Sequence, residues 1–502
     1  MNTLIDQTVA PTSKIKRVTV ENIAALRALD SSALESAVVL GYRSENDGGG
    51  GNYHIDKNDV TSVDDGGALI VGADGSRWKL LHNGAISVKQ FGVISMDSDP
   101  NADNSSALLS VELFLRGELG VFRALPSIIF PAGTYKYSAS PNFGVQGATI
   151  LNEGKVKLRY TGVDRGMILD GGSGAGVNIT GLTFGKGQGF IIEAPSTASI
   201  GIHIQNVYLS KITARCWGAG LSSAGFVVQG CVLTEFWIGC TPTESAREEP
   251  GDYINGWYLG ARPFVGMTLT ESGPGAQSSY CTFYNWLGAA CQIGMYVDST
   301  LGNVFLGGDN EYNSNIGAVF TPKAIGNKIK AMNFEVNSAG GDVQCAGFYN
   351  EFDVDSTLFQ FVAGEGNRLM GGMHDQVSIL GGTGNYVGGI VYGRGISGNL
   401  PIIDEGIDSA FGPCFQAQEK RWSMGPKSDS PIAVGNSPFV YRNTSNRHQR
   451  IFISGGTITA VSYHREGTLL GTLSTNQCID VLPGDSLTVA YTIAPTMHRS
   501  TP

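Results

Sequence analysis

Charge is scarce in this chain. Asp, Glu, Lys and Arg make up 16% of its 502 residues, against ~25% in an average soluble domain. What charge there is leans negative, with a net of −10 at pH 7. That balance argues against nucleic acid as a partner, because a phosphate backbone demands a basic surface. An anionic ligand would have to be held by a local basic patch, not by the field of the whole molecule. No run of about 18 apolar residues occurs, so no membrane insertion is expected. The opening Met1-Asn2-Thr3-Leu4-Ile5-Asp6 lacks a basic stretch followed by an apolar core, so no secretory signal is expected. The eight cysteines include no Cys-x-x-Cys pair, and the seven histidines are dispersed without ligand spacing. Buried free thiols in a chain made in a reducing cytoplasm are expected, with no metal site and no cofactor.

Helical periodicity is the next absence. In its place stand 70 glycines and many short β-prone runs. The organising stretch runs from Gly302 to Asn385. It reads Gly302-Asn303-Val304-Phe305, Gly326-Asn327-Lys328-Ile329, Tyr349-Asn350-Glu351-Phe352, Gly366-Asn367-Arg368-Leu369 and Gly384-Asn385-Tyr386-Val387. One device recurs: a Gly or aromatic, an Asn, then a short strand. A repeat of this size without a helix suits one coil of a parallel β-helix. Coils would stack ~4.8 Å apart, so equivalent positions form columns. Asn in a column passes hydrogen bonds from coil to coil, and Gly lets the backbone turn the corner.

Elsewhere, residues 1–17 read as a flexible attachment peptide and 18–92 as an N-terminal cap. A short helix is expected within Asn22 to Leu29, and an amphipathic helix from Ser106 to Leu119. Leu108, Leu109, Leu113 and Leu115 would cover the open end of the first coil. The shaft is expected over 93–412, interrupted by an excursion at 241–280 where charge and aromatics are densest. A connector at 413–431 leads to a β-sandwich at 432–502, with Pro483-Gly484-Asp485 as a tight turn. The Gly48-Gly49-Gly50-Gly51 run is a weak match to a phosphate cradle, since no helix and no Lys-Ser/Thr pair follows.

The N-terminal motifs carry a resemblance. Asp47-Gly48-Gly49-Gly50-Gly51, Gly66-Gly67-Ala68-Leu69-Ile70-Val71, Arg77-Trp78-Lys79-Leu80, Val88-Lys89-Gln90-Phe91-Gly92 and Phe130-Pro131-Ala132-Gly133-Thr134-Tyr135 resemble bacteriophage tailspikes and capsule depolymerases. Met96 to Asn104 departs from that family's usual pattern. The C-terminal segment with Ala494-Pro495-Thr496-Met497 resembles tailspike end modules. The resemblance implies an all-β, right-handed parallel β-helix that binds and cleaves bacterial surface polysaccharide, either capsule or O-antigen. It also favours a homotrimer, which the apolar coil exteriors suit. It implies a place in the phage tail of the virion, with the N-terminal peptide joining a tail, baseplate or second tailspike protein.

Cleavage by hydrolysis needs two carboxyls across a glycosidic bond, one as acid and one as base or nucleophile. Glu311 and Glu335 occupy the same place in successive repeats, which puts their α-carbons ~5 Å apart. Close carboxylates raise one another's pKa, as an acid/base pair requires. Asp309 belongs to the same set, and Glu235 and Asp252 are rivals. The structural alternative for Glu-x-Asn is a corner-turn device. Trp237, Tyr253, Trp257, Tyr258 and Tyr312 are candidate sugar platforms, because pyranose C–H faces stack on aromatic rings. Arg262 is a candidate for holding an acidic sugar. A lyase acting on uronates is the second reading, with His203, Tyr208 and Lys211 or His374 and Asp375 supplying base and cation. The third is an adhesive receptor-binding fibre without catalysis.

Overall fold

The computed structural model describes residues 16–117, 125–172, 178–242, 253–254, 257–258, 261–335, 337, 341–393, 402–418, 420–423, 428–445, 448–474 and 478–501. A five-stranded sheet opens the chain. Its strands lie in the order Arg17–Val20, Ser36–Val39, Gly51–Ile55, Arg77–Leu81, Leu69–Val71. The short helix Ile23–Arg27 is capped by Asn22, whose side chain accepts the Ala25 N–H. The shaft begins within the stretch assigned to the cap, since Ala85–Ser87 already pairs in parallel with Ser127–Phe130.

The helix Ser105–Gly117 lies against the first coils. It buries Leu108, Val111, Phe114 and Leu115, while Leu109 and Leu113 face solvent. The expectation that those two leucines cover the coil end is corrected. The apolar face of this helix follows the 3.6-residue period through Val111 and Phe114 instead.

From Ala85 to Gln416 the strands pair almost entirely in parallel, each with its counterpart one turn of chain away. This is a parallel β-helix. Side chains alternate in and out, and inward positions stack. Phe236, Phe283 and Phe305 lie ring over ring at 4.7 and 4.6 Å between centroids, the coil repeat itself. All cysteines except Cys478 are buried.

One corner is built alike from Gly181 to Asp408. Leu209, Leu233, Tyr280, Gly302, Gly326, Tyr349, Gly366 and Gly384 follow one another there with φ between 47 and 72°. Each N–H donates to a carbonyl of the next coil, as Gly302 does to Ile325 at 2.9 Å. The residue after each corner turns inward, and this is where the asparagines sit. Asn303 N–H donates to Asn327 Oδ1 at 3.2 Å, Asn327 to Asn350 at 2.9 Å, Asn350 to Asn367 at 3.0 Å and Asn367 to Asn385 at 3.0 Å. Each Nδ2 donates to the same oxygen. These asparagines are fully buried, so the ladder satisfies amide groups that water cannot reach.

A second ladder occupies another corner and then stops. Cys291 N–H donates to Asn313 Oδ1 and Asn313 N–H to Asn337 Oδ1. Asn337 Nδ2 donates to the buried Asp342 at 2.7 Å, and Asp342 accepts the Thr357 and Leu358 N–H groups. Burial holds the Asp342 carboxyl above its ordinary pKa. Beyond it the strand Glu351–Phe361 runs straight through where earlier coils turned. The repeat shortens from 24 and 23 residues to 17 and 18, so the perimeter falls by roughly 20 Å at ~3.3 Å per residue. The shaft therefore has a step at Asp342.

The C-terminal unit is a sandwich of two four-stranded antiparallel sheets. Ile451, Ile453, Val461, Leu487, Val489 and Met497 fill it.

Two stability outcomes follow. Asn327→Ala strips the acceptor from both Asn303 donors and should cost ~3 kcal/mol, read as a lower Tm and faster amide exchange at Asn303. Asp65, in the N-terminal sheet unit, has its pKa pushed up to about 6 by burial. A raised folded pKa makes the unit most stable below the carboxyl's ordinary value, with stability falling as pH rises through about 6. Asp65→Asn keeps the acceptor for the Gly67 and Leu69 N–H groups. It should remove that pH dependence and raise stability at pH 7.5 by up to ~2 kcal/mol, as thermal melts at pH 5 and 7.5 would report.

Candidate functional site

The acidic repeat sits on the strands Val304–Glu311 and Lys328–Glu335. Their register is Val304↔Lys328, Asp309↔Asn333, Asn310↔Phe334 and Glu311↔Glu335. The 24-residue offset read from sequence is therefore the observed pairing. The side chain of Glu335 lies outside the described set. Glu311 itself is only 2% exposed. Tyr312, with φ 56°, turns the corner beside it, and Arg262 donates to the Tyr312 carbonyl. Asp309 is half-buried and accepts Asn333 Nδ2 at 3.2 Å.

A bulge shapes this wall. Asn285, Gly307 and Ala331, in three successive coils, each add one residue with positive φ. The bulge bends the strands and re-aims the side chains on either side of it. Asp309 and Glu311 fall on one side. Trp237, Tyr284, Leu306 and Lys330 fall on the other.

The outward columns leading to the two acids are low. Arg215 is followed coil by coil by Gly239, Leu287 and Asp309. Trp217 is followed by Thr241, and Ala289, one outward position beyond Leu287, precedes Glu311 in the neighbouring column. Between Arg215 and Trp217 at one end and Asp309 and Glu311 at the other, two coils carry Gly239, Thr241, Leu287 and Ala289 at these positions. By side-chain size these columns are lowest at Gly239 and Ala289, and this stretch, ~10 Å along the shaft axis, is termed the trough. Its far lip carries Asp309 and Glu311, just before the step at Asp342. Its near lip carries Arg215 and Trp217.

The other sequence candidates scatter. Glu235 is exposed, in register with Lys211 and Thr282 across the bend. Trp237 stacks on Tyr284 at 4.4 Å and carries Lys211 Nζ on its other face at 4.2 Å. Both faces of the indole are occupied, so it is not the open platform expected. Asp252 lies outside the described residues. Tyr253–Ile254 and Trp257–Tyr258 pair as an antiparallel hairpin, and their side chains are likewise outside the described set. The excursion is shorter than 241–280, since Val265–Thr270 is already a regular coil strand.

The histidines offered for a lyase are occupied inside the protein. His203 meets Arg165 Nη1 at 2.9 Å and Gln229 Oε1 at 2.8 Å, and burial lowers its pKa. His374 is fully buried between Ser356 Oγ and the Gly371 carbonyl.

Exposed rings lie elsewhere. Tyr280 and Tyr349, at 55% and 57% exposure, stand on the left-handed corner. A side chain on Gly302 or Gly366, one coil on, would run into those rings. The sequence held the signal, since both tyrosines occupy the place that Gly holds in other repeats. A non-glycine residue at such a φ costs ~1 kcal/mol or more. Tyr280→Gly and Tyr349→Gly should therefore leave Tm unchanged or higher. A clear fall in Tm would mean that the rings pack structurally.

Residues 19–83 match the family described as phage tail protein small four-stranded beta-sheet domain. Among solved structures, the tailspike protein of Acinetobacter phage vB_ApiP_P1 is similar over 96% of this chain and 97% of its own. The identity is 13% and the TM-score 0.50. The enzymatically active domain of tailspike protein 2 from bacteriophage CBA120 is similar over 97% of this chain and 86% of its own, at 10% identity and a TM-score of 0.47. Residues 19–83 thus match a phage-tail sheet domain, and the chain has the fold of a phage tailspike.

Proposed function

We propose that this protein is a tailspike that recognises and depolymerises bacterial surface polysaccharide, capsule or O-antigen, by hydrolysing a glycosidic bond in the trough. The observation that carries the reading is the acidic lip at the end of a low channel. Asp309 and Glu311 stand there one outward position apart, with Glu335 in register beside Glu311. A rigid scaffold holding a shallow channel suits an extended polymer. The phage-tail sheet domain and the tailspike fold add support from outside the site.

In this reading the carboxyl groups divide the work. Glu311, withdrawn from bulk water, is assigned the acid that protonates the leaving oxygen. Asp309 faces the trough and has one oxygen steadied by Asn333. It is assigned the base or nucleophile, with Glu335 as the second carboxyl of the lip. Arg262 fixes the corner by holding the Tyr312 carbonyl.

A homotrimer belongs to the same proposal. Ile200, Ala224, Val265, Ile293 and Ile316 form one outward column on a wall away from the trough. Ala224, Val227 and Val265 make an apolar cluster separate from the core, with Ile200, Ile293 and Tyr296 against it. Copies of the chain would cover its half-buried members Ile200, Ile293 and Tyr296. The N-terminal sheet domain is assigned the joint to the phage tail.

Purified protein spotted on lawns of capsulated bacteria tests this reading. Haloes with shortened glycans and new reducing ends are expected. Asp309→Asn and Glu311→Gln should each lower turnover at least 100-fold while polymer binding and trimer mass in sedimentation persist. An ultraviolet-absorbing unsaturated uronate would replace hydrolysis by elimination, and binding without shortening would leave an adhesin. Full turnover in both variants would reject the site.

A further inference from the structure

The near lip of the trough is basic in a chain that is acidic overall. Lys157 and Arg159 lie on one coil, and Arg215 lies two coils on in the column of Lys157, with Ile191 between them. Lys157 and Arg159 share one acid, because Glu193 lies 3.4 Å from Lys157 and 3.1 Å from Arg159. Lys157 also caps the ring of the buried Trp217, with Nζ 4.6 Å from the centroid. Arg215 is different. It is exposed and makes no ion pair or side-chain hydrogen bond with another described residue. Its neighbour in the next coil is Gly239, which has no side chain to pack against the guanidinium.

We infer that Arg215 anchors a carboxylate-bearing sugar of the polymer at the near end of the trough, with the bond to be cut toward Asp309. This rests on the polysaccharide reading above and adds the class of substrate and its direction along the shaft. Three coil steps separate Arg215 from Asp309 in one column, an α-carbon distance of ~14 Å. A planar guanidinium takes a carboxylate through two parallel N–H bonds. A polyanion is repelled by a chain of net charge −10, so capture needs a cation held where the polymer lies. The acids on the far lip repel the same group. The two lips together favour one placement of the polymer, with its charged sugar at Arg215 and a neutral linkage at Asp309.

The test uses the full chain and the capsule polysaccharide of a strain whose lawn it clears, both native and with its carboxyl groups chemically reduced to alcohols. Carboxyl reduction is expected to raise KM for the wild-type protein at least tenfold. Arg215→Ala should raise KM at least tenfold on the native polymer, with kcat within about twofold, and leave KM on the reduced polymer unchanged. Arg215→Lys should recover part of the loss on the native polymer. Equal handling of both polymers by the wild-type protein overturns the inference, as does an equal loss on both in Arg215→Ala. Loss in Arg215→Ala with no effect of carboxyl reduction on the wild-type protein also overturns it, and points to a phosphate substituent. If the wild-type protein shortens no polymer from any lawn, the polysaccharide reading fails first and this inference with it.

Discussion

Everything in the shaft depends on how a buried backbone amide is satisfied at a corner. A coil that turns sharply must leave some N–H groups out of the strand ladders. Within the shaft no water is at hand to take them, and an unpaired buried amide costs as much as a lost hydrogen bond or more. Asparagine answers this because one carboxamide oxygen accepts both the N–H and the Nδ2 of the asparagine in the preceding coil. The positive-φ residue just before it lets that side chain point inward. Corner, ladder and register form one device, and the columns on the outer wall inherit their alignment from it.

Much of this was legible in the sequence, for a physical reason. The Gly-Asn pairs at 302–303, 326–327, 366–367 and 384–385 suit this corner in both φ and hydrogen bonding, so the repeat survives as letters. The register Glu311↔Glu335 followed directly. Earlier coils were harder to read, because Ser210 and Thr234 do the asparagine's work. Ser210 Oγ accepts the Leu182 N–H, and Thr234 Oγ1 donates to the Val207 carbonyl. Hydroxyls at those places leave a far weaker signature than Asn.

The site was legible in part. The spacing that aligns Glu311 with Glu335 says nothing about cover, and the Arg262 segment that closes the Tyr312 corner comes from fifty residues earlier in the chain. Trp237 read as a platform, but the columns place Lys211 and Tyr284 on its two faces. The trough itself is made of what is missing, Gly239 and Ala289 between taller residues. Low relief is invisible until the columns are known. Arg215 could have been found from the parity of its strand, in which Lys211, Thr213, Arg215 and Trp217 share one side.

The asparagine ladder also has a direction. In each rung the donor belongs to the earlier coil and the acceptor to the later one. A shaft cut short within this series would therefore leave the corner amide of its last coil without the acceptor that the next coil supplies. The full-length chain ends the series differently. Asn385 turns its amide back to the Gly381 carbonyl within its own coil, and the antiparallel strand Arg421–Ser423 folds over the final turn. The ladder thus closes on itself at its last coil, where the final carboxamide finds its acceptor.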